Sequence, residues 1–241
     1  MKKQDIYFVL IAVAALLPFF VLPGLMVFYS RLNATHPFWM SFLKFAVLAT
    51  TGEMIGLRIR TGSYHQKGFG VFPRAIVWGF LGVAIKIAFV IFGEGAPRML
   101  AAMGVDYGMI PPAEILNRNF FSSFSGLQLL TAFAVSVTMN TFFAPVFMTF
   151  HKITDTHILN NGGSWRCLFR PVPFGRIIQE LNWDVQWNFV FKKTIPLFWY
   201  PAHTITFLLP AEFRILFAAI LGVVLGVLLS VASLRSRASG V

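Results

Sequence analysis

Residues Lys192–Ser230 read KKTIPLFWYPAHTITFLLPAEFRILFAAILGVVLGVLLS. Two lysines open an aromatic, proline-broken stretch that holds His203, Thr204 and Thr206, and a long aliphatic run follows Arg214. A water-soluble core does not accommodate so much apolar surface beside a lysine pair. A plain membrane anchor does not accommodate Pro196, Pro201, Pro210 and His203. Both features fit a bilayer in which neighbouring helices shelter the polar groups, because backbone groups freed by proline must find partners within the protein.

The rest of the chain points the same way. Its 241 residues are 57% hydrophobic and only 12% charged, with a mean hydropathy of +0.71, whereas soluble domains carry roughly 25% charged residues. Apolar runs of about 18 residues or more recur, each long enough to cross a membrane. The expected fold is an all-α, polytopic transmembrane helical bundle of about six spans. These lie near Ile6–Tyr29, Pro37–Leu57, Ala75–Gly93, Gly126–Phe150, Phe189–Leu209 and Ile215–Leu234. The first exceeds the 7–15 apolar residues of a signal peptide and reads as a retained helix, bent near Pro18 or Pro23. Residues 1–34 are thus an extra N-terminal helix on a membrane domain spanning 35–241.

The formal net charge is +11, but the basic residues sit between apolar runs rather than in one patch, which excludes a nucleic-acid arm. With the N-terminus inside, Lys2, Lys3, Arg58, Arg60, Lys67, Arg74, Lys152, Arg166, Arg170, Arg176, Arg235 and Arg237 fall on the inner side. Only Arg31, Arg98, Arg118 and Arg214 fall outside. That bias is the positive-inside signal and places both termini on the cytoplasmic side. Between the fourth and fifth spans, Asn160–Ser164 is turn-rich, and Phe174–Trp187 reads as an amphipathic helix on the inner interface. Ile177, Ile178 and Leu181 recur there at helical spacing, and Trp183 and Trp187 suit the headgroup layer. Cys167 is the single cysteine, so no intrachain disulfide is available.

Ionisable residues within a span cost about 2.5–3.5 kcal/mol on insertion scales and so call for a reason. Lys44, Lys86 and His203 share one depth in the outer half, counted at about 1.5 Å per residue. Glu53 matches the depth of Lys192 and Lys193 and is expected to pair with one of them. Two readings of Lys44 and Lys86 stay open: a polar lining with Glu53, Asn140 and His203, or stems that snorkel to water. Asn140 is the most central polar side chain of the fourth span, either bonding across to a neighbour or gating. Ala218, Gly222, Gly226 and Ser230 make a stripe of small residues at every fourth position, allowing close approach of another helix in this chain or in a second copy.

No catalytic signature accompanies these groups. His151 and His157, six apart, do not share a helical face and read as loop residues. No metal, cofactor or enzymatic activity is expected; the expected partners are the lipid bilayer, small solutes and a second copy of the chain.

The order of several short motifs resembles that of the Mpv-seventeen and twenty-two-kilodalton peroxisomal membrane protein family. Its closing signature is matched by Trp199, Pro201, Ala202, Phe207, Pro210, Phe213, Arg214, Leu229 and Ser230. His36-Pro37, Gly52-Glu53, Gly79-Phe80-Leu81-Gly82 and Asn140–Pro145 resemble its earlier motifs in order. The chain departs from the pattern at Val83, Met139 and Thr206. The resemblance spans about Thr35 to Ser233, implies a helical bundle and permits a weakly selective pore; a lining that includes Lys44 and Lys86 would favour small anionic solutes. A non-conducting organiser of partners or lipids is the alternative. Lys2-Lys3, without an Arg-rich presequence, suggests a bacterial inner membrane; mitochondrial or peroxisomal membranes are the eukaryotic counterpart.

Overall fold

A computed structural model describes residues 2–120, 122 and 125–238, with side chains up to Val231. Arg235 and Arg237, counted above for topology, lie outside the described side chains. Among the described residues there are helices, turns and loops but no strand. Four helices are long and apolar enough to cross a membrane: Lys3–Val21, Pro37–Thr61, Val71–Ala102 and Ala211–Val231. The bent pair Gly126–Phe142 and Ala144–Asn160 brings the number to five if it is one span. An all-helical membrane architecture therefore holds; the count of six rests on sequence.

The chain divides into two compact units, Met1–Met40 and Ser41–Val241. In the first unit α1 (Lys3–Val21) and α2 (Pro23–Thr35) are separate helices. The break is at Leu22, which is extended as the residue before Pro23, where proline disfavours helical backbone. Pro18 sits inside α1 without breaking it.

In the second unit the bundle is built on α3 (Pro37–Thr61) and α4 (Val71–Ala102). A Cβ placed on Gly79 or Gly82 would lie 2.4 Å from the Phe42 ring or 2.5 Å from Phe45 Cβ. The two glycines are seats for α3 aromatics, and Ser41 Oγ donates to Gly82 O at 2.7 Å across the same crossing. Without a hydrophobic drive between helices in lipid, such close approach and interhelical hydrogen bonding hold the pair together. Facing outward, Phe72, Phe80, Ile87, Val90 and Ile91 of α4 are exposed, the arrangement a lipid solvent calls for.

α5 (Gly126–Phe142) and α6 (Ala144–Asn160) meet at a 47° bend. Pro145 lies in the first turn of α6, where a missing N–H costs least. α6 runs past Phe150 and places His151 and His157 on a helix rather than in a loop. The interfacial helix is also revised. Phe174–Glu180 forms α7, and Asn182 then caps a single turn, α8 (Trp183–Val185), by accepting from Val185 N–H at 3.0 Å. A cap at that point ends one helix and starts another, so Phe174–Trp187 is not continuous.

Gln186–Trp199 continues as a fourteen-residue π-helical stretch containing Pro196 and leads into α9 (Tyr200–Leu208). α10 (Ala211–Ala238) closes the bundle. Ion pairs and contacts define two ends. Asp155 of α6 meets Arg74 at one, the Arg74 end. At the other, the Glu94 end, Arg214 reaches the short 3-10 turn Pro112–Asn117 that follows α4. The chain between Asp155 and Arg214 therefore traverses the bundle through the π-helical stretch and α9. The core between these elements is rich in alanine and phenylalanine, including Phe45, Ala88, Phe89, Ala132, Phe207 and Ala219.

Candidate functional site

A cavity of about 380 Å³ runs inside the second unit, lined by α3, α4, α5, α6, the π-helical stretch, α9 and α10. Most of its wall is apolar, with Phe45, Phe89, Met139, Phe147 and Leu225 among the contributors. Polar groups gather at two levels. A groove of about 440 Å³ between α4 and α6 is larger. Its lining is apolar except for Thr154 and includes the exposed Phe80 and Val146, so it is an outward-facing surface without a chemical centre.

The level at the Arg74 end is an ionic knot. Arg74 pairs through Nη1 with both Glu53 of α3 and Asp155 of α6, and its Nε donates to Phe69 O at 2.7 Å. Trp78 Nε1 donates to Glu53 Oε1 at 2.9 Å, and His151 Nε2 lies 3.2 Å from the same oxygen. The guanidinium also lies over the Phe69 ring at 4.4 Å. Arg74 is thus a planar donor shared by two carboxylates from two helices, a role its fixed fork suits better than an ammonium would. Glu53 does not pair with Lys192 or Lys193, as expected from depth alone. Lys192 Nζ donates to Asn188 Oδ1 at 3.3 Å and lies over the Trp187 ring, while Lys193 is exposed.

The second level lies where α5 meets α9. Asn140 Nδ2 donates to Ser136 O at 2.8 Å, and its amide lies within hydrogen-bonding distance of His203 Nδ1, 2.9 Å from Nδ2 and 3.1 Å from Oδ1. Ser136 Oγ donates to Tyr200 O at 2.7 Å. The His203 ring is stacked by Trp199 at 4.9 Å and met edge-on by Phe89 at 5.7 Å. Among the described residues Trp199 Nε1–H is buried without a hydrogen-bond partner, an unused donor on a side chain that lines the cavity. Gln186, Val190, Thr194 and Trp199, spaced by four and five residues, all line it too. A π-helix, with i→i+5 bonding, brings such spacings onto one face.

Of the residues expected to form one lining, the structure brings together Glu53, Asn140 and His203 on the main cavity. It separates the lysines. Lys86 lines a different cavity with Arg214, and Lys44, although buried, lines none of these three cavities. Shared depth did not amount to a shared face. Gly222, Gly226 and Ala218 line the main cavity, while Ser230 turns to α3, where a Cβ on Gly56 would lie 2.9 Å from its Oγ. A Cβ on Gly52 would lie 2.9 Å from Val223 Cα. The small-residue stripe therefore serves packing of α10 on α3 and the cavity wall.

Arg74, Trp78, His151 and Asp155 were not read from the sequence as site residues. Their signal was the spacing: Arg74 with Trp78, and His151 with Asp155, are four apart and share helical faces. Drawing the third span from Ala75 and ending the fourth at Phe150 hid that signal.

The chain matches no family model, no curated protein and no solved structure.

Proposed function

We propose that this protein is a membrane conduit that admits a small, largely apolar or weakly polar solute into the bundle. The observation that carries the reading is the cavity of about 380 Å³ with polar groups at two levels, Glu53–His151 and Asn140–His203. An apolar wall with a few converging polar groups is the usual composition of a small-molecule site. Weakly selective passage also fits the family resemblance. An anion preference built on Lys44 and Lys86 is not carried into this reading, because neither lines the cavity.

A non-conducting reading has its own support. None of the cavity's lining comes from the 103–125 connection. At the Glu94 end Ile115 and Leu116 are buried, and Arg214 Nη2 donates to Leu116 O at 2.6 Å. Conduction then requires that segment to move.

Osmotic-swelling measurements on proteoliposomes separate the two readings, using glycerol, glucose and lactate as solutes. Permeability above that of protein-free liposomes is expected, and the double variant Asn140→Leu with His203→Phe is expected to lower it at least several-fold. Wild-type permeability no higher than the lipid background for all three solutes overturns the conduit in favour of the organiser.

A further inference from the structure

A separate cavity of about 170 Å³ lies at the Glu94 end, between α4, the turn Pro112–Asn117 and the junction of α9 with α10. Its charged and polar side chains are Lys86, Glu94, Asn117 and Arg214. Arg214 is fixed in place: Nε donates to Leu209 O at 2.9 Å, Nη2 to Leu116 O at 2.6 Å, and the guanidinium lies 5.9 Å from the Phe207 ring centre. Carbonyls orient the guanidinium without neutralising it. A guanidinium has five N–H donors, so some remain for another acceptor.

Lys86 makes no hydrogen bond or ion pair among the described residues. Cationic neighbours act on it and through it: Arg214 acts on Lys86, and Lys86 in turn acts on Lys44. The carboxylates nearby are committed or offset. Glu94 pairs with Arg98 at 3.2 Å, and Glu212 acts on Arg214 from the first turn of α10. With the Glu94 carboxylate of the lining held by Arg98, the two cations facing this small cavity leave it net positive, a charge that a bound anion would offset.

We propose that this cavity binds an oxyanion, a phosphate or carboxylate group, between Lys86 Nζ and the unused N–H groups of Arg214, with Asn117 at its rim. A compact ammonium and a fixed guanidinium are the two donor types that recognise such groups. The site lies apart from the main cavity and stands whether or not that cavity conducts. The oxyanion belongs either to a free solute or to the headgroup of an anionic phospholipid, and the chemistry is the same.

Thermal unfolding of the full chain tests the site. In neutral detergent, inorganic phosphate is titrated against sodium chloride of matched ionic strength. In nanodiscs, phosphatidylglycerol is compared with phosphatidylcholine. Ligand that binds only the folded state raises Tm, and a rise of a few degrees is expected in one arm. A rise with phosphate identifies a soluble oxyanion; a rise with phosphatidylglycerol alone identifies a headgroup. Lys86→Met, which keeps the apolar stem, is expected to lose most of the rise. Asn117→Asp, a change at an exposed rim position, is expected to weaken binding several-fold and covers the case in which Lys86→Met does not fold. No rise in either arm for the wild type, or a full rise kept in both variants, overturns the site.

Discussion

Arg74 shows what a single residue does in this bundle. It lies near the start of α4 with a side chain only 6% exposed, and it holds carboxylates from α3 and α6 that are 20% and 16% exposed. Removing one partner of a buried pair leaves a charge uncompensated, which costs about 3–5 kcal/mol, and the partial exposure of both carboxylates puts this pair at the low end of about that range. Arg74→Met is therefore expected to lower Tm strongly, and Glu53→Gln less so, because Asp155 still holds the guanidinium. In thermal unfolding, the double variant should lose clearly less than the sum of the two, since the residues share one network. Strict additivity would show that the knot does not act as a unit. Cys167 is the other telling residue. It is 1% exposed, and burial pushes its thiol up from the ordinary value. A thiol with a raised pKa is protonated at neutral pH and so a poor nucleophile. Alkylation by iodoacetamide at pH 7.5 should be slow in the folded protein and fast once it unfolds; rapid labelling of folded protein would contradict this burial.

At the scale of elements, glycine positions decide the crossings. Gly82 seats Phe45, so even a methyl group there meets side-chain atoms at 2.5 Å. Overpacking of this kind costs typically about 1–3 kcal/mol, and Gly82→Ala is expected to lower stability accordingly. Gly95, on the same helix, has nothing within 4 Å of a new Cβ. Gly95→Ala should be neutral or should stabilise by up to about 1 kcal/mol, the helix-propensity difference. Equal effects at the two sites, compared by unfolding in the same detergent, would remove the seat argument. The loops contain one such approach too. Gly163, with φ +67°, would place a Cβ 2.5 Å from Gly70 N, so Gly163→Ala is opposed both by backbone conformation and by contact.

For the whole molecule, the question is how often the chain crosses. α10 starts where Arg214 meets Leu116 and runs to where Ser230 meets Gly56, so it ends near the ionic knot. The return from Asp155 to Arg214 passes through the π-helical stretch and α9. That segment is irregular and fails a simple length-and-apolarity test, yet it covers the bundle's length. The six spans expected from the sequence would make the number of crossings even. Cysteines introduced at Lys2 and Arg235, in a Cys167→Ser background, should therefore label from the same side of sealed vesicles with an impermeant maleimide. Labelling from opposite sides would remove one crossing from this account.

Much of this was legible in order along the chain. Scarcity of charge and the length of apolar runs determine a helical membrane protein, because backbone groups in lipid must be satisfied within each segment. The small-residue stripe of α10 marked a close helix contact before any partner was known, and Ser230 and Gly226 make it with α3, while Gly222 has nothing within 4 Å of an added Cβ. Depth along a helix was countable as well, and on that count Lys44, Lys86 and His203 shared a level. Facing was not. Which carboxylate reaches which cation depends on helix rotation and on the bend at Phe143, and those follow from packing of all helices at once. The sequence alone therefore determined the solvent and the helices; only the tertiary structure decided that Glu53 belongs to Arg74 and that Lys86 faces Arg214.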